Sequence, residues 1–315
     1  MDLQDRRILV TGGAGLVGSA LAERLAADND VHVVDDLSYG DRSRVPDATT
    51  FHAGDVTDPD VVERLLTPAV DVVFHLAAIS DVDYPDDREL VERNTAMTYT
   101  LLERADEVDL DGFAFTSSST VYGEAPRPTP EEYGPLEPIS EYGVAKLADE
   151  GLVSTYANAY GVQSWVFRFA NIVGPGQRGN VVPDFVEKLL EDPSALTVLG
   201  DGRQEKSYMH VSDCVAAIEH VVEHADDQYN VYNLGTHTTV SVDRIASVVA
   251  EEIGVDPERT YTGGDRGWVG DVPKMRLAIE KLTDLGFEPD LESEAAVRRA
   301  ARELLPELRA ETGAV

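Results

Sequence analysis

Cysteine is nearly absent from this chain: among 315 residues there is one, Cys214. A single thiol excludes an internal disulfide framework, and no Cys/His spacing of the zinc type occurs, so Cys214 reads as a small buried hydrophobe and no metal site is expected. No apolar run approaches the ~20 residues of a membrane span. The opening MDLQDRRILVTGG enters a strand-like stretch directly, without the apolar core of a signal peptide, so a cytoplasmic location is expected. Positive charge is scarce as well. Lys plus Arg number 26 against 59 Asp plus Glu, a net charge of −33. Only five are lysines: Lys146, Lys188, Lys206, Lys274 and Lys281. Such a balance argues against nucleic acid or an anionic membrane as a partner.

The acids are spread along the whole chain between periodic apolar segments, which indicates a solvated acidic surface on a folded protein rather than a disordered tail. Heavy acid loading with few lysines resembles proteins of salt-accumulating halophiles. The hydrophobic fraction, 43%, is ordinary for a globular protein. RILVT (Arg7 to Thr11), VHVVD (Val31 to Asp35), TTFHA (Thr49 to Ala53), DVVFHLA (Asp71 to Ala77), GFAFTS (Gly112 to Ser117) and SWVFRFA (Ser164 to Ala170) read as strands with helical patterns among them. That alternation predicts a parallel sheet covered on both faces. After Asn171 the regularity loosens. NIVGPGQRGN reads as a glycine-rich loop, YNVYNLG (Tyr229 to Gly235) as a return strand, and helices are expected near Pro183, after Ser212, and over Ser241 to Ile253, Arg276 to Leu285 and Ser293 to Leu305. His75 and His210, in apolar contexts, read as satisfied core or edge residues.

TGGAGLVGS (Thr11 to Ser19) joins the first strand to the first helix. Gly12, Gly15 and Gly18 give G-x-x-G-x-x-G, and Gly13, Gly15 and Gly18 give G-x-G-x-x-G. A turn without side chains lets the backbone approach a pyrophosphate, with Leu16 and Val17 in the first helical turn supplying N–H donors. Asp35 ends the second strand twenty positions after Gly15, where a carboxylate accepts ribose hydroxyls and repels a 2′-phosphate. NAD is therefore expected over NADP, with Arg42 and Arg44 the residues that would reverse that choice. Asp36 is a second ribose candidate. In GDV (Gly54 to Val56), Asp55 and Val56 are candidates for the adenine end.

SEYGVAKLADE (Ser140 to Glu150) spends one of the five lysines one helical turn after a tyrosine. Residues i and i+4 share a helix face, so Tyr142 and Lys146 point the same way. The hydroxyl cluster TSSSTVYG ends the preceding strand, at the sheet edge where open α/β sheets bind ligands. An ammonium and an oxidised nicotinamide are both expected to lower the phenol's pKa from ~10. Tyr142 then serves as a base for a sugar hydroxyl while hydride leaves for NAD, and Lys146 holds the nicotinamide ribose.

TGGAGLVG, DDLS, GDV, HLAA, SSSTVYG, YGVAK, RFANIVGPGQ, YMHVSDC and GDVP follow one another as in the extended short-chain dehydrogenase/reductase family, and the chain resembles its nucleotide-sugar 4-epimerases over nearly its full length. The resemblance implies a Rossmann-type doubly wound parallel sheet with a smaller interleaved C-terminal α/β substrate lobe. The expected division is 1–170, with return segments near 205–235, for NAD, and 171–204 plus 236–315 for the nucleotide sugar. It implies a homodimer. It makes Tyr142 the base, Lys146 its tuner and Ser118 the hydroxyl on the sugar O4, and it places Asn94 near the cofactor. Asn171, Asn180, Lys206, Arg266 and Asp271 are the implied substrate-binding residues. Lys206 stands where many relatives have arginine, keeping charge without the bidentate fork. Several bacterial relatives have a cofactor-binding lysine after HLAA, where this chain reads Ile79, Ser80 and Asp81. Met275 maps to the position that gates the C2 substituent, between the tyrosine that favours plain hexoses and the small residues that admit N-acetyl groups.

The function implied is a UDP-sugar 4-epimerase with bound NAD, acting on the UDP-glucose/UDP-galactose pair or the N-acetyl pair. Alternatives are a 4,6-dehydratase or decarboxylase on the same scaffold and, from another class, a non-catalytic NAD-binding regulatory or scaffold protein. Dehydratases of the family carry an Asp-Glu pair immediately before VYG, and decarboxylases usually a glutamate. This chain has Ser119 and Thr120 there.

Self-repulsion of a surface this acidic is screened by salt over a Debye length of about 3 Å at 1 M. The melting temperature is expected to climb steeply between low salt and molar KCl in a calorimetric series. A flat dependence would remove the basis for the halophile comparison.

Overall fold

The computed structural model describes residues 1–81, 84–268 and 270–312. The first half follows the period of its apolar residues. Strands β1 (Arg7–Thr11), β2 (Asp30–Asp35), β3 (Thr50–Ala53), β4 (Val72–His75), β5 (Gly112–Ser118) and β6 (Gln163–Phe169) are interspersed with helices α1 (Leu16–Leu25), α2 (Pro59–Leu65), α3 (Asp87–Glu107) and α4 (Glu141–Thr155). The second half runs β7 (Asn171–Val173), α5 (Val181–Glu191), β8 (Ala195–Val198), β9 (Glu205–Lys206), β10 (Tyr208–His210), α6 (Val211–His224) and β11 (Tyr229–Leu234). It closes with β12 (Val240–Ser241), α7 (Val242–Ile253), β13 (Glu258–Tyr261), β14 (Lys274–Met275), α8 (Glu280–Asp284) and α9 (Ser293–Thr312).

Seven strands pair in parallel in the order β11-β6-β5-β4-β1-β2-β3. The chain fills the sheet in one direction from β1 to β3 and in the other from β4 to β6. The reversal between β1 and β4 opens a crevice beyond their C-terminal ends, where doubly wound sheets bind ligands. The central strands β1, β4 and β5 are buried on both faces and read as nearly continuous apolar runs. Ile8 and Val10 of β1, with Trp165 and Phe167 of β6, pack under α1 and α6. Leu9 and Val166, alternating with them, pack with Phe113 and Phe115 against α2, α3 and α4. A separate core gathers Phe185 of α5, Val249 of α7 and Leu304 of α9.

Three expectations from the sequence change. Asn171 to Val173 is strand, not loop, because it pairs with β10, which lies 35 residues later in the chain. The helix expected from Arg276 shrinks to α8. Residues before it pair instead with the segment at Thr129, whose N–H donates to Arg276 O at 2.9 Å and whose O accepts from Ala278 N at 2.9 Å. The last helix does not stop at Leu305 but continues through Pro306. Proline deletes one helical hydrogen bond, and Leu308, 2% exposed in the core with α5 and α7, holds the following turn in place. His75 and His210 are buried and hydrogen-bonded, the first to Thr11 and Thr98 and the second to Ser212 and Glu303.

Between β6 and α4 lies a buried ion pair. Arg168 Nε and Nη2 donate to Glu150 Oε1 and Oε2 at 2.9 and 2.7 Å, with side-chain exposures of 7% and 5%. Ser117 Oγ donates to the same carboxylate at 2.5 Å, and Arg168 Nη1 donates to Tyr122 Oη at 2.8 Å. Removing one member leaves the other charged and unpaired in the interior. Arg168→Met is expected to lower the unfolding free energy by about 3–5 kcal/mol in urea titrations, and adding Glu150→Met to recover most of that loss. A single-variant loss no larger than that of a surface substitution would show that the pair does not hold the helix.

Candidate active site

The crevice is a cleft of about 640 Å3 lined by the turns after β1, β2, β3 and β4 and by residues of β2, β5, β6, α1, α3 and α4. At its floor the Gly12–Gly18 turn is packed so closely that side chains do not fit. Gly12 has φ +67°, and a Cβ on it would lie 2.6 Å from Ala77 N. A Cβ on Gly18 would lie 2.2 Å from Gly12 O, so this glycine is what seats α1 against the turn. Gly15 is the N-cap of α1 and offers no side-chain cap. The first-turn N–H groups of that helix have no intrahelical acceptor, and Leu16 and Val17 face the cleft.

Asp35 sits at the far end of β2, 9% exposed and on the cleft wall. Its Oδ2 accepts from Ala14 N at 3.0 Å and its Oδ1 from Leu37 N at 2.8 Å, which fixes the carboxylate and leaves lone pairs for a diol. Asp36 also lines the cleft but is exposed and accepts from Ser38 N and Oγ. Asp55 and Val56 line the same end. Asp55 is ion-paired with Arg93 Nη2 at 2.8 Å and accepts from Thr57 N at 2.9 Å. A glycine cradle at a helix N-terminus with a held carboxylate beyond it fits the pyrophosphate and ribose of NAD. Arg42 and Arg44 are occupied elsewhere: the Arg42 guanidinium lies 4.4 Å over the Phe51 ring, and Arg44 packs under Gly176. Neither lines the cleft. Asn94 does not line it either. Its Oδ1 accepts from Ile79 N at 2.8 Å and its Nδ2 donates to Ile79 O and Leu90 O at 3.0 Å, clamping the loop after β4, whose Ile79 and Ser80 form part of the wall.

Tyr142 and Lys146 stand on the opposite wall. Ser140 caps α4 by accepting from Gly143 N at 3.2 Å. A Cβ on Gly143 would meet Thr120 O at 3.0 Å. The small residue lets the 3-10 turn Ser119–Tyr122 pack on the first turn of α4, which brings the hydroxyl cluster beside Tyr142. Ser118 caps that turn, its Oγ accepting from Thr120 N at 3.2 Å, while Thr116 and Ser117 line the cleft. Lys146 is 2% exposed, and its Nζ donates to Thr116 O at 2.8 Å. Burial lowers its pKa to about 8, with Asp149 and Glu150 opposing the shift. The phenol corrects an expectation. Among the protein's own groups, burial first and the Asp149 carboxylate second push Tyr142 above the ordinary tyrosine value rather than below it. The Lys146 ammonium is held by Thr116 O and lies 5.7 Å from the centre of the tyrosine ring.

The residues implied for substrate binding lie outside the walls of this cleft, and three of them meet. Lys206 Nζ donates to Asp271 Oδ1 at 2.5 Å and lies 5.0 Å over the Trp268 ring. Asp271 also accepts from Gly267 N at 3.0 Å. Arg266 donates to Asp271 O at 2.7 Å and pairs with Glu124. Val269, inside this loop, lies outside the described residues. Asn171 is half-buried, its Nδ2 3.3 Å from Ser207 O, and Asn180 is exposed at the N-cap of α5. Met275 pairs with Lys206 and packs among Val121, Tyr122 and Ala170, one residue from Phe169 on the cleft wall. Met275 thus links the cluster around Lys206 to Ala170, which follows Phe169 in the chain. Phe169 and Arg93 were not anticipated, and no local pattern marks them. Arg168, a lone charge inside the apolar run SWVFRFA, was the signal for the buried pair.

The family model described as the NAD dependent epimerase/dehydratase family matches residues 8–235. A putative UDP-glucose 4-epimerase of Methanocaldococcus jannaschii is 30% identical over 300 residues, covering 93% of this chain and 96% of that protein. A crystal structure of a UDP-galactose 4-epimerase superposes with a TM-score of 0.88 at 40% identity, over 96% of this chain and 99% of that one. The Thermotoga maritima UDP-glucose 4-epimerase, solved with UDP-glucose, superposes with a TM-score of 0.87 at 31% identity, over 94% and 98% of the two chains. The chain belongs to the NAD-dependent epimerase/dehydratase family, and its cofactor is NAD.

Proposed function

We propose that the protein interconverts the C4 epimers of a UDP-hexose through a 4-keto sugar. The observation that carries this reading is the shared cleft: Tyr142 and Lys146 line it with the glycine turn, and the turn Ser119–Tyr122 beside them carries hydroxyls and no carboxylate. Tyr142 takes the proton from the sugar O4 and returns it at the end of the turnover. Lys146, anchored on Thr116 O, holds the ribose hydroxyls beside the tyrosine, and Ser118 donates to O4. NAD, when bound, supplies the hydride acceptor for C4 and, in its oxidised form, a positive charge that favours the phenolate. Neither Ser119 nor Thr120 is a useful acid or base near neutral pH, so a 4-keto sugar has no partner there for losing water. Asn171, Asn180, Lys206, Arg266 and Asp271 serve the nucleotide diphosphate, and Met275 lies against the sugar. The pairings of Lys206 and Arg266 with Asp271 and Glu124 then rearrange around the phosphates. In this reading 1–170, with the return strand β11, carries NAD, and the segments around the core of α5, α7 and α9 carry the nucleotide sugar.

The test is a panel of UDP-sugars incubated with the purified enzyme, products being identified by NMR and mass. The expected product has the mass of its substrate and differs only at C4, with no added NAD consumed. Tyr142→Phe is expected to lose about 100-fold or more in turnover while NAD stays bound. A product lighter by water or carbon dioxide, or near-normal activity in the variant, overturns the reading.

The same reading makes the enzyme a cytoplasmic homodimer of a salt-accumulating cell. Tyr99, Val144 and Tyr160 stand 44%, 45% and 55% exposed on or just beyond α3 and α4, the apolar surface a second copy would cover. Light scattering in molar KCl should give twice the mass of 34.3 kDa, and a monomer would refute the assignment.

A further inference from the structure

Lys146 is a cation taken almost wholly out of water, and such a group needs a counter-charge. Two carboxylates of its own helix are near enough to affect it, Asp149 and Glu150. Glu150 is already spent: both its oxygens are bound by Arg168, and Ser117 adds a third hydrogen bond. Asp149 is different. It lies three residues after Lys146, on the same side of α4, and is 1% exposed. Among the described residues its Oδ1 has no hydrogen-bond partner, and no ion pair within 4 Å engages it. Among the described residues, the neighbouring elements offer no other free cation. From α3, Thr98 presents a hydroxyl that hydrogen-bonds the Asp149 carboxylate and lies 3.2 Å from His75 Nε2, a neutral partner that leaves the charge uncompensated. From β4, His75 is held neutral, its pKa lowered to about 3 by burial and by Lys146. From β5 come the Phe115 ring and Thr116 O, and from β6 Arg168, which Glu150 neutralises.

We propose that Asp149 is a positioning residue for Lys146: its carboxylate is the unshared counter-charge of the buried ammonium that faces the cofactor cleft. This rests on the role given to Lys146 above, but its test reads the lysine directly and needs no sugar. Burial raises the Asp149 pKa to about 6, against the lowering effect of Lys146, so the carboxylate is charged through neutral pH. A negative charge here raises the pKa of Lys146 and also that of Tyr142. Replacing it with a neutral group therefore lowers both. The lysine loses its proton at a lower pH, and the pH profile of turnover moves to lower pH as a whole.

With five lysines in the chain, the 13Cε signals of labelled holoenzyme can be followed individually, that of Lys146 being assigned by its loss in Lys146→Met. In the parent protein the Lys146 signal should show a small step where Asp149 ionises, below its main transition. In Asp149→Asn the main midpoint should fall by about one pH unit or more, the shift expected from losing a nearby opposite charge, and the turnover profile should move with it. Asp149→Glu should restore both. A merely structural role would lower activity at every pH without moving the lysine midpoint, and that result overturns the proposal. Should the asparagine variant fail to fold, the parent titration still decides, because a Lys146 signal with no step where Asp149 ionises overturns the proposal on its own.

Discussion

The ion pair of Arg168 and Glu150 fixes where α4 can lie. Arg168 projects from the middle of β6 into a region where every neighbour is apolar or already bonded, and only a bidentate carboxylate at the correct height on α4 compensates it. That requirement sets the rotation and the height of the helix over β5 and β6. Ser117 Oγ on the same carboxylate and Tyr122 Oη on the same guanidinium bring the end of β5 and the following turn into the arrangement. Asn233 of β11 accepts from Tyr122 Oη at 2.8 Å and so adds the outermost strand. With α4 placed, Tyr142 and Lys146 have nowhere to face except the cleft beyond β1 and β4.

The charge economy of the chain has two regimes. On the surface the few cations are shared among many acids: Arg244, Arg298 and Arg302 bridge Glu251 and Glu252 of α7 and Glu294 of α9. These pairs are open to solvent and individually weak, but together they tie two helices of the smaller core. In the interior, cations are matched more strictly. Arg168 has Glu150, Lys206 has Asp271, and Lys146 has a main-chain oxygen and, on the same side of its helix, a carboxylate with one unbonded oxygen. Strict matching is what burial demands, since an uncompensated charge costs several kcal/mol there.

The glycine turn and the tyrosine–lysine pair solve different problems. Gly12 and Gly18 are there because backbone lies against backbone, with less than 3 Å available for a side chain. Gly15 leaves the terminus of α1 without a capping side chain. The tyrosine, by contrast, is chemically unready among its own neighbours. Burial and a carboxylate both hold its proton on. In the proposed reaction its activation depends on positive charge brought close by the cofactor, which ties proton transfer to an occupied cleft.

The sequence by itself determined what depends on neighbours along the chain. Apolar runs alternating with helical patterns specify a covered parallel sheet, three glycines between a strand and a helix specify a close-packed turn, and a spacing of four puts Tyr142 and Lys146 on one face of one helix. Each of these is a local geometric consequence of backbone period. Only the tertiary structure decided which charges neutralise one another. It pairs Glu150 with Arg168 and leaves one oxygen of the adjacent Asp149 unbonded, it spends Asp55 on Arg93 and Asn94 on a loop, and it closes Lys206 on Asp271. It also makes a strand of Asn171 to Val173 and carries α9 past Pro306, because partners distant in sequence supply the hydrogen bonds and the packing. In a folded interior the state of a charge or an orphaned amide is set by what stands within a few ångströms of it, and residue spacing along one element does not carry that information.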